Sequence, residues 1–189
     1  MTHDELLVRR AQRGDQKAVD TLLREHYDTV RAVCHRIVIN KDDADDATQV
    51  ALIAIVRALP SFDGRSKFST WVYRIATNAA LDEIRRIRRR AVPHDSQDFA
   101  SIPAADGSGA VDAQMDVAAA LSRVPEEFRT VLVLRHIADL EYDEIAVILD
   151  IPVGTVRSRL SRGRAQLSEH LGNPGPSSRR QTEETGGPP

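Results

Sequence analysis

From Pro93 to Asp116 the chain carries five aspartates and neither a lysine nor an arginine. The same stretch, "PHDSQDFASIPAADGSGAVDAQMD", is rich in Pro, Gly, Ala and Ser and shows no helical repeat of apolar residues. Such a segment buries too little to offset the entropy of ordering it. It reads as a flexible linker over 93–114, and it divides 189 residues into two stretches that must each build a core. Aromatic residues make up only 4% of the chain. The cores must therefore come from Leu, Ile, Val and Ala, a composition that favours helices over sheets.

The stretch before the linker is helical by periodicity. A short helix is expected around "ELLVRRAQ". Asp15 can cap a longer one, in which Val19, Leu22, Leu23, Tyr27, Val30, Val33, Cys34 and Ile37 form one apolar stripe. "INKDDADDA" is a polar break with capping aspartates, followed by "TQVALIAIVRAL", which ends at Pro60. Between Gln49 and Leu59 only Arg57 is charged, and a helix apolar nearly all round is either buried or holds a partner. "PSFDGRSKFST" has Pro, Gly and Ser punctuation and reads as a loop. The helix after it has Val72, Ile75, Ala76 and Ala79 on its inner face, continued by Ala80, Ile84 and Ile87. It closes on the five arginines of "RRIRRR", Arg85 to Arg90, which suit a helix C-terminus even without a ligand.

The stretch after the linker opens with "VAAALSRV" and a helix started by Pro125. "EYDEIAVILD" then places Ile145, Ala146, Ile148 and Leu149 on one side. A break at "DIP" follows, and Pro152 opens another helix. Helix, tight turn, helix is the frame of a helix-turn-helix. Asp150 stands where glycine would be easiest, and Asp tolerates the left-handed conformation better than most side chains. On a helical wheel, Val153, Val156, Leu160, Leu167 and Leu171 face inward, and Thr155, Ser158, Arg159 and Arg162 face outward. Arg157 and Arg164 flank the stripe, and Gly154 allows close backbone approach. No acidic residue lies between Ile151 and Ser168, so the ion pairs of an ordinary solvated helix are missing. A face of hydroxyls and guanidinium groups suits phosphates and base edges.

The expected fold is all-α: two helical domains, 1–92 and 115–171, joined by a flexible acidic linker, with a disordered tail over 172–189. One cysteine, Cys34, allows neither a disulfide framework nor a cysteine zinc site. The six histidines show no metal spacing such as HExxH. No nucleophile elbow or phosphate-binding glycine loop is present, so neither an enzyme nor a bound cofactor is expected. The longest apolar run, Val50 to Val56, is too short to span a bilayer, and "MTHDELLVRR" has no apolar signal region. The expected compartment is the cytoplasm.

These motifs carry a resemblance. "EYDEIAVILDIPVGTVRSRLSRGRAQL" resembles the promoter-reading helix-turn-helix of extracytoplasmic-function (ECF) sigma factors of the sigma-70 family. "DADDATQVALIAIVRALPSFDGRSKFSTWVYRIATNAALDEIRRIRRR" resembles their segment that binds core RNA polymerase and reads the promoter's upstream melting element. The likeness runs from about Glu5 to Leu171. It implies a sigma factor that binds core polymerase, recognises the −35 and −10 elements of promoter DNA with its two domains, and assists melting. Asp45, Asp46 and Gln49 match the positions that dock on a coiled-coil of the polymerase's largest subunit. Lys67 and Arg74 match phosphate contacts, Asn78 a base contact, and Phe68 an aromatic platform for an unstacked base. Arg85 and Arg86 suit duplex phosphates in a sequence-blind way. Gly154, Thr155, Arg157, Ser158, Arg159 and Arg162 match the −35 reader.

The resemblance also implies an anti-sigma partner, although no site for one is legible. It routes the acidic linker, through Asp95, Asp98, Asp106, Asp112 and Asp116, toward the polymerase's RNA exit path. Relatives often carry Glu and an aromatic where Val50 and Ala51 stand here. Of the three aromatics between Phe68 and Tyr73, Trp71 is the expected core residue. Two other readings remain open on the residues alone. A helix-turn-helix regulator acting without polymerase predicts a dimer with half-site spacing. A pure interaction protein leaves the arginine faces without a role.

Overall fold

The computed structural model describes residues 2–90 and 117–172, all helix, turn and bend. The linker over 93–114, the five aspartates Asp95, Asp98, Asp106, Asp112 and Asp116, and the tail beyond Gly172 lie outside the described residues. Before the linker come α1 (His3–Gln12), α2 (Gln16–Ile37), α3 (Lys41–Ala58), a 3₁₀ turn (Leu59–Ser61) and α4 (Phe68–Arg90). After it come α5 over 117–123, α6 (Glu126–His136), α7 (Tyr142–Leu149) and α8 (Val153–Gly172).

Local chemistry sets the starts of these helices. Thr2 and Glu5 form a reciprocal capping box on α1. Asp15 accepts from the backbone N–H groups of Lys17 and Ala18, as its position predicts. Its carboxyl group is held below the ordinary range, first by the hydrogen bond from Arg10 and then by the N–H of Ala18. The cap of α3 is not one of the aspartates. Asn40 accepts from Asp42 and Asp43 N–H, leaving Asp42 and Asp43 in the first turn, where the helix dipole favours negative charge.

Helices α2, α3 and α4 pack on one another around Leu22, Val30, Val33, Ile37, Val72 and Ala76. Cys34 is fully buried there. Its thiol is pushed up from 9.0 to about 11 by burial, against a weaker opposing bond with Thr48. Tyr27, placed by periodicity in the α2 stripe, is exposed, while Val30 in the same stripe is fully buried. In the second domain α8 crosses α6 closely. A Cβ on Gly163 would lie 3.0 Å from Leu132 Cδ1 and 3.2 Å from Phe128 Cβ. Asp150 takes the left-handed conformation at the turn before α8, φ 52° and ψ 49°.

The two domains do not stand apart. α2 packs on α6 and α4 on α7, and one apolar cluster runs through both.

Candidate nucleic-acid and partner interface

Three outward surfaces emerge from this packing. The first lies on α3. Asp46, Gln49, Val50 and Ile53 recur at helical spacing and share one face. Val50, Ile53 and Val56 are 55%, 52% and 41% exposed, a row of aliphatic side chains that the domain itself leaves uncovered. The opposite side of α3 carries Ala44, Ala47, Ala51 and Ile55 into the core. A groove between α3 and α4 runs beside the exposed row, lined by Asp46, Gln49, Val50, Ile53, Glu83 and Arg86. Asp45 points off this face. His35 Nε2 lies 2.7 Å from Asp45 Oδ1, tying it back to α2. Of the three predicted partner contacts, Asp46 and Gln49 are thus side by side and exposed, and Asp45 is half-buried in an internal pair.

The second surface is on α4. Lys67, Trp71, Arg74, Asn78 and Arg85 fall on one helical face. Lys67, Arg74, Asn78 and Arg85 are exposed and Trp71 is half-exposed. Phe68 does not join them: it is only 5% exposed. Its ring is held edge-on by His26 at 5.1 Å and by Phe62 at 5.6 Å, with Trp71 at 5.5 Å. The burial expected for the two aromatics is therefore reversed. Phe68 forms the floor and Trp71 is the ring within reach of the outside. A stripe drawn through Arg74 and Asn78 and extended back by one turn would have found Trp71.

Arg85 pairs with Asp82 at 2.7 Å. Arg86 is committed further inward, which conflicts with its expected role on phosphates. It bonds to Glu83, a buried carboxylate, and its Nη2 reaches Asp46 Oδ2 at 3.2 Å. Those partners, Glu83 first, hold its guanidinium even more firmly protonated. Arg86 is thus a tie between α4 and α3.

The third surface is α8. Val156, Leu160 and Gly163 face inward, with Leu167 half-buried beside them. Gly154, Arg157, Ser158 and Arg162 are exposed and Thr155 is half-exposed. A Cβ on Gly154 would meet nothing within 4 Å, so no contact inside the chain demands glycine there. Arg159 is not on the outward face. It sits at the flank, its Nη2 3.1 Å from Glu127 Oε2 on α6. Arg157 is more outward than expected, and Arg164 is exposed beside His136. That imidazole is pushed below its ordinary range, by burial first and then by the charges of Arg164 and Arg135.

Among the described residues no cluster of His, Cys, Asp and Glu could hold a metal ion. No described helix is long and apolar enough to cross a membrane.

Comparison with known proteins matches two stretches of the chain. Sigma-70 region 2 matches residues 22–90, which contain α3 and α4, and Sigma-70 region 4 matches 114–167, which contain α6, α7 and most of α8. The chain is 39% identical to the ECF RNA polymerase sigma factor SigE of Mycolicibacterium smegmatis, over 84% of this chain and 64% of that protein. It is 34% identical to the ECF RNA polymerase sigma factor SigW of Bacillus subtilis, over 87% of this chain and 94% of that one. Among solved structures it resembles the sigma factor RpoE from Bartonella quintana, crystallised with the anti-sigma factor NepR. That match has a TM-score of 0.67 and 25% identity, and covers 81% of this chain and 96% of the other. Two regions in the family's order, on the helices that carry the exposed arrays, settle the assignment: the chain belongs to the ECF group of the sigma-70 family and is an RNA polymerase sigma factor.

Proposed function

We propose that this sigma factor meets core RNA polymerase with the exposed face of α3, through Asp46, Gln49 and the row Val50, Ile53 and Val56. The uncovered row carries this reading. Covering aliphatic side chains that are half exposed is worth on the order of 1 kcal/mol each, and the acidic end of the row supplies orientation and charge matching. The aliphatic Val50, where relatives often carry an acidic residue, makes this contact more apolar than theirs. Asp45 supports the face from behind through His35. Asp46 is shared with Arg86, so the partner contact and α4 are joined by one guanidinium.

The outward face of α4 then receives the melted −10 strand. Trp71 offers a ring for stacking, Asn78 a base-edge partner, and Lys67, Arg74 and Arg85 charges for phosphates. Phe68 shapes the pocket from beneath without touching DNA. On α8, Thr155, Arg157, Ser158 and Arg162 face the −35 element. Close approach at Gly154 brings the helix start, with its unpaired N–H groups, to a phosphate. Arg159 is a flanking contact steadied by Glu127. Bond-making belongs to the polymerase, so the chain itself is not an enzyme. Its place of action is the cytoplasm, beside the polymerase and the DNA. The likeness to a sigma factor crystallised with its anti-sigma factor supports an anti-sigma partner here as well.

The test is to mix the purified chain with core polymerase and a pool of genomic promoter fragments. Co-elution with core and initiation at a defined subset of fragments are expected. A stable homodimer that binds duplex DNA without core, and gives no transcripts, favours the conventional regulator instead.

A further inference from the structure

The loop between α3 and α4 is tied to the first helix of the chain. Gln12, the last residue of α1, donates from Nε2 to Leu59 O at 3.1 Å and to Phe62 O at 2.8 Å. A side-chain amide nitrogen carries two hydrogens, and both are used here. The two acceptors are 47 and 50 residues away in sequence. They stand at the two ends of the 3₁₀ turn, where Phe62 N–H also donates to Leu59 O at 3.2 Å. One amide thus holds the turn at its entry and at its exit. Beyond Phe62 the loop is shaped from within. Asp63 Oδ1 accepts from Arg65 N–H at 3.1 Å, and Gly64 takes the left-handed conformation at φ 74°.

The residue held in this way touches the ring assigned to the strand. The Phe62 ring lies 5.1 Å from Trp71, tilted by 52°, and 5.6 Å from Phe68, at 79°. Phe68 and Trp71 are themselves 5.5 Å apart, so the three rings form a triangle. α1 reaches a second corner of it. Asp4 Oδ2 lies 3.3 Å from His26 Nε2, and the His26 ring meets Phe68 edge-on at 5.1 Å. Trp71 is half-buried because Phe62 and Phe68 cover part of its indole, and the uncovered part remains for a base. If Phe62 swings away, the indole is free to turn into the space it leaves. A strand would then have to re-order the ring on binding, and that cost comes out of its affinity.

We propose that Gln12 is a positioning residue for recognition of the −10 strand: its two hydrogen bonds hold Phe62 against Trp71 and keep the indole in its stacking orientation. Gln12 acts through Phe62 and does not itself meet DNA. This rests on the reading of α4 as the strand-binding face and extends the site to α1.

The test uses the full chain and its one tryptophan, Trp71. Q12M keeps the length of the side chain and removes both donors without adding charge. R10A is the control. It breaks the bonds from Arg10 to Asp15 at 2.9 and 2.7 Å, loosening the corner between α1 and α2 without touching the loop. In the free chain, acrylamide quenching of Trp71 reports how firmly the ring is packed. With the chain assembled on core polymerase, a dye-labelled single strand reports recognition against a scrambled strand. That strand carries the −10 element of a promoter the wild-type holoenzyme initiates from. Q12M is expected to make Trp71 easier to quench and to weaken the promoter strand roughly 3- to 10-fold. Binding of the scrambled strand and of a −35 duplex should not change. R10A should lower the melting temperature and leave quenching and strand preference as in wild type. Wild-type quenching and strand affinity in Q12M, or equal losses in Q12M and R10A, overturn the positioning role. W71L separates this role from the reading beneath it. If W71L loses strand affinity and Q12M does not, the positioning role alone fails. If W71L keeps the wild-type preference, the stacking assignment on α4 fails and the role of Gln12 with it.

Discussion

Asp150 holds φ at 52° without being glycine, at the turn on which α8 depends. The left-handed region costs an L-residue energy that glycine does not incur, and glycine is the usual residue at a helix C-terminus of this kind. Asp150→Gly should therefore stabilise the chain by about 0.5–1 kcal/mol, read as a higher urea midpoint with unchanged slope. A lower midpoint would mean that the carboxylate contributes more than its backbone strain removes. Cys34 gives a second residue-scale test. Its thiol titrates near 11 when folded against 9.0 ordinarily, because burial disfavours the thiolate. The folded state thus keeps its proton where the unfolded chain loses it. This contribution is fully present below about pH 9 and fades as pH rises toward 11. In native buffer near pH 8 a thiol reagent should label Cys34 only as fast as the chain opens. Rapid labelling of every molecule would contradict its burial.

At the scale of elements, Gly163 is the position to test. It lets α8 lie against Phe128 and Leu132 of α6. Gly163→Val should cost about 2 kcal/mol through overpacking, measured by thermal unfolding followed by circular dichroism. An unchanged melting temperature would show that Leu132 yields freely. Most helices are legible from their punctuation: Asp15 as a cap, Pro60 near the end of α3, and Asp150 as the turn. Where periodicity misleads, the cause is the line chosen for the stripe. Passing the α8 stripe through Val153 and Leu171, which are at the helix ends and not buried, turns Arg159 outward. The spacing Val156, Leu160, Gly163, Leu167 sets the buried line, and Gly163 belongs to it as a small residue rather than a breaker. Phe68 and Trp71 exchange their expected burial because both are large apolar rings three apart. Only the loop residue Phe62 and His26, from outside the helix, decide which ring is enclosed.

At the scale of the whole molecule, two domains are readable from the linker's composition, and their closure is not. The anchor of that closure is a bond from Arg129 to a backbone carbonyl 92 residues away, and carbonyls carry no sequence signal. The polymerase-facing claim is more general and rests on side chains that no part of the described chain covers. It is tested most directly by run-off transcription with core polymerase from a promoter that the wild-type chain selects, comparing wild type with Ile53→Asp. Ile53 is 52% exposed, so the substitution leaves the fold intact and places a charge in the centre of the apolar row. Wild type should initiate, and Ile53→Asp should lose at least about tenfold in both core affinity and transcript yield. Equal transcription from the two chains would contradict the placement of polymerase on α3.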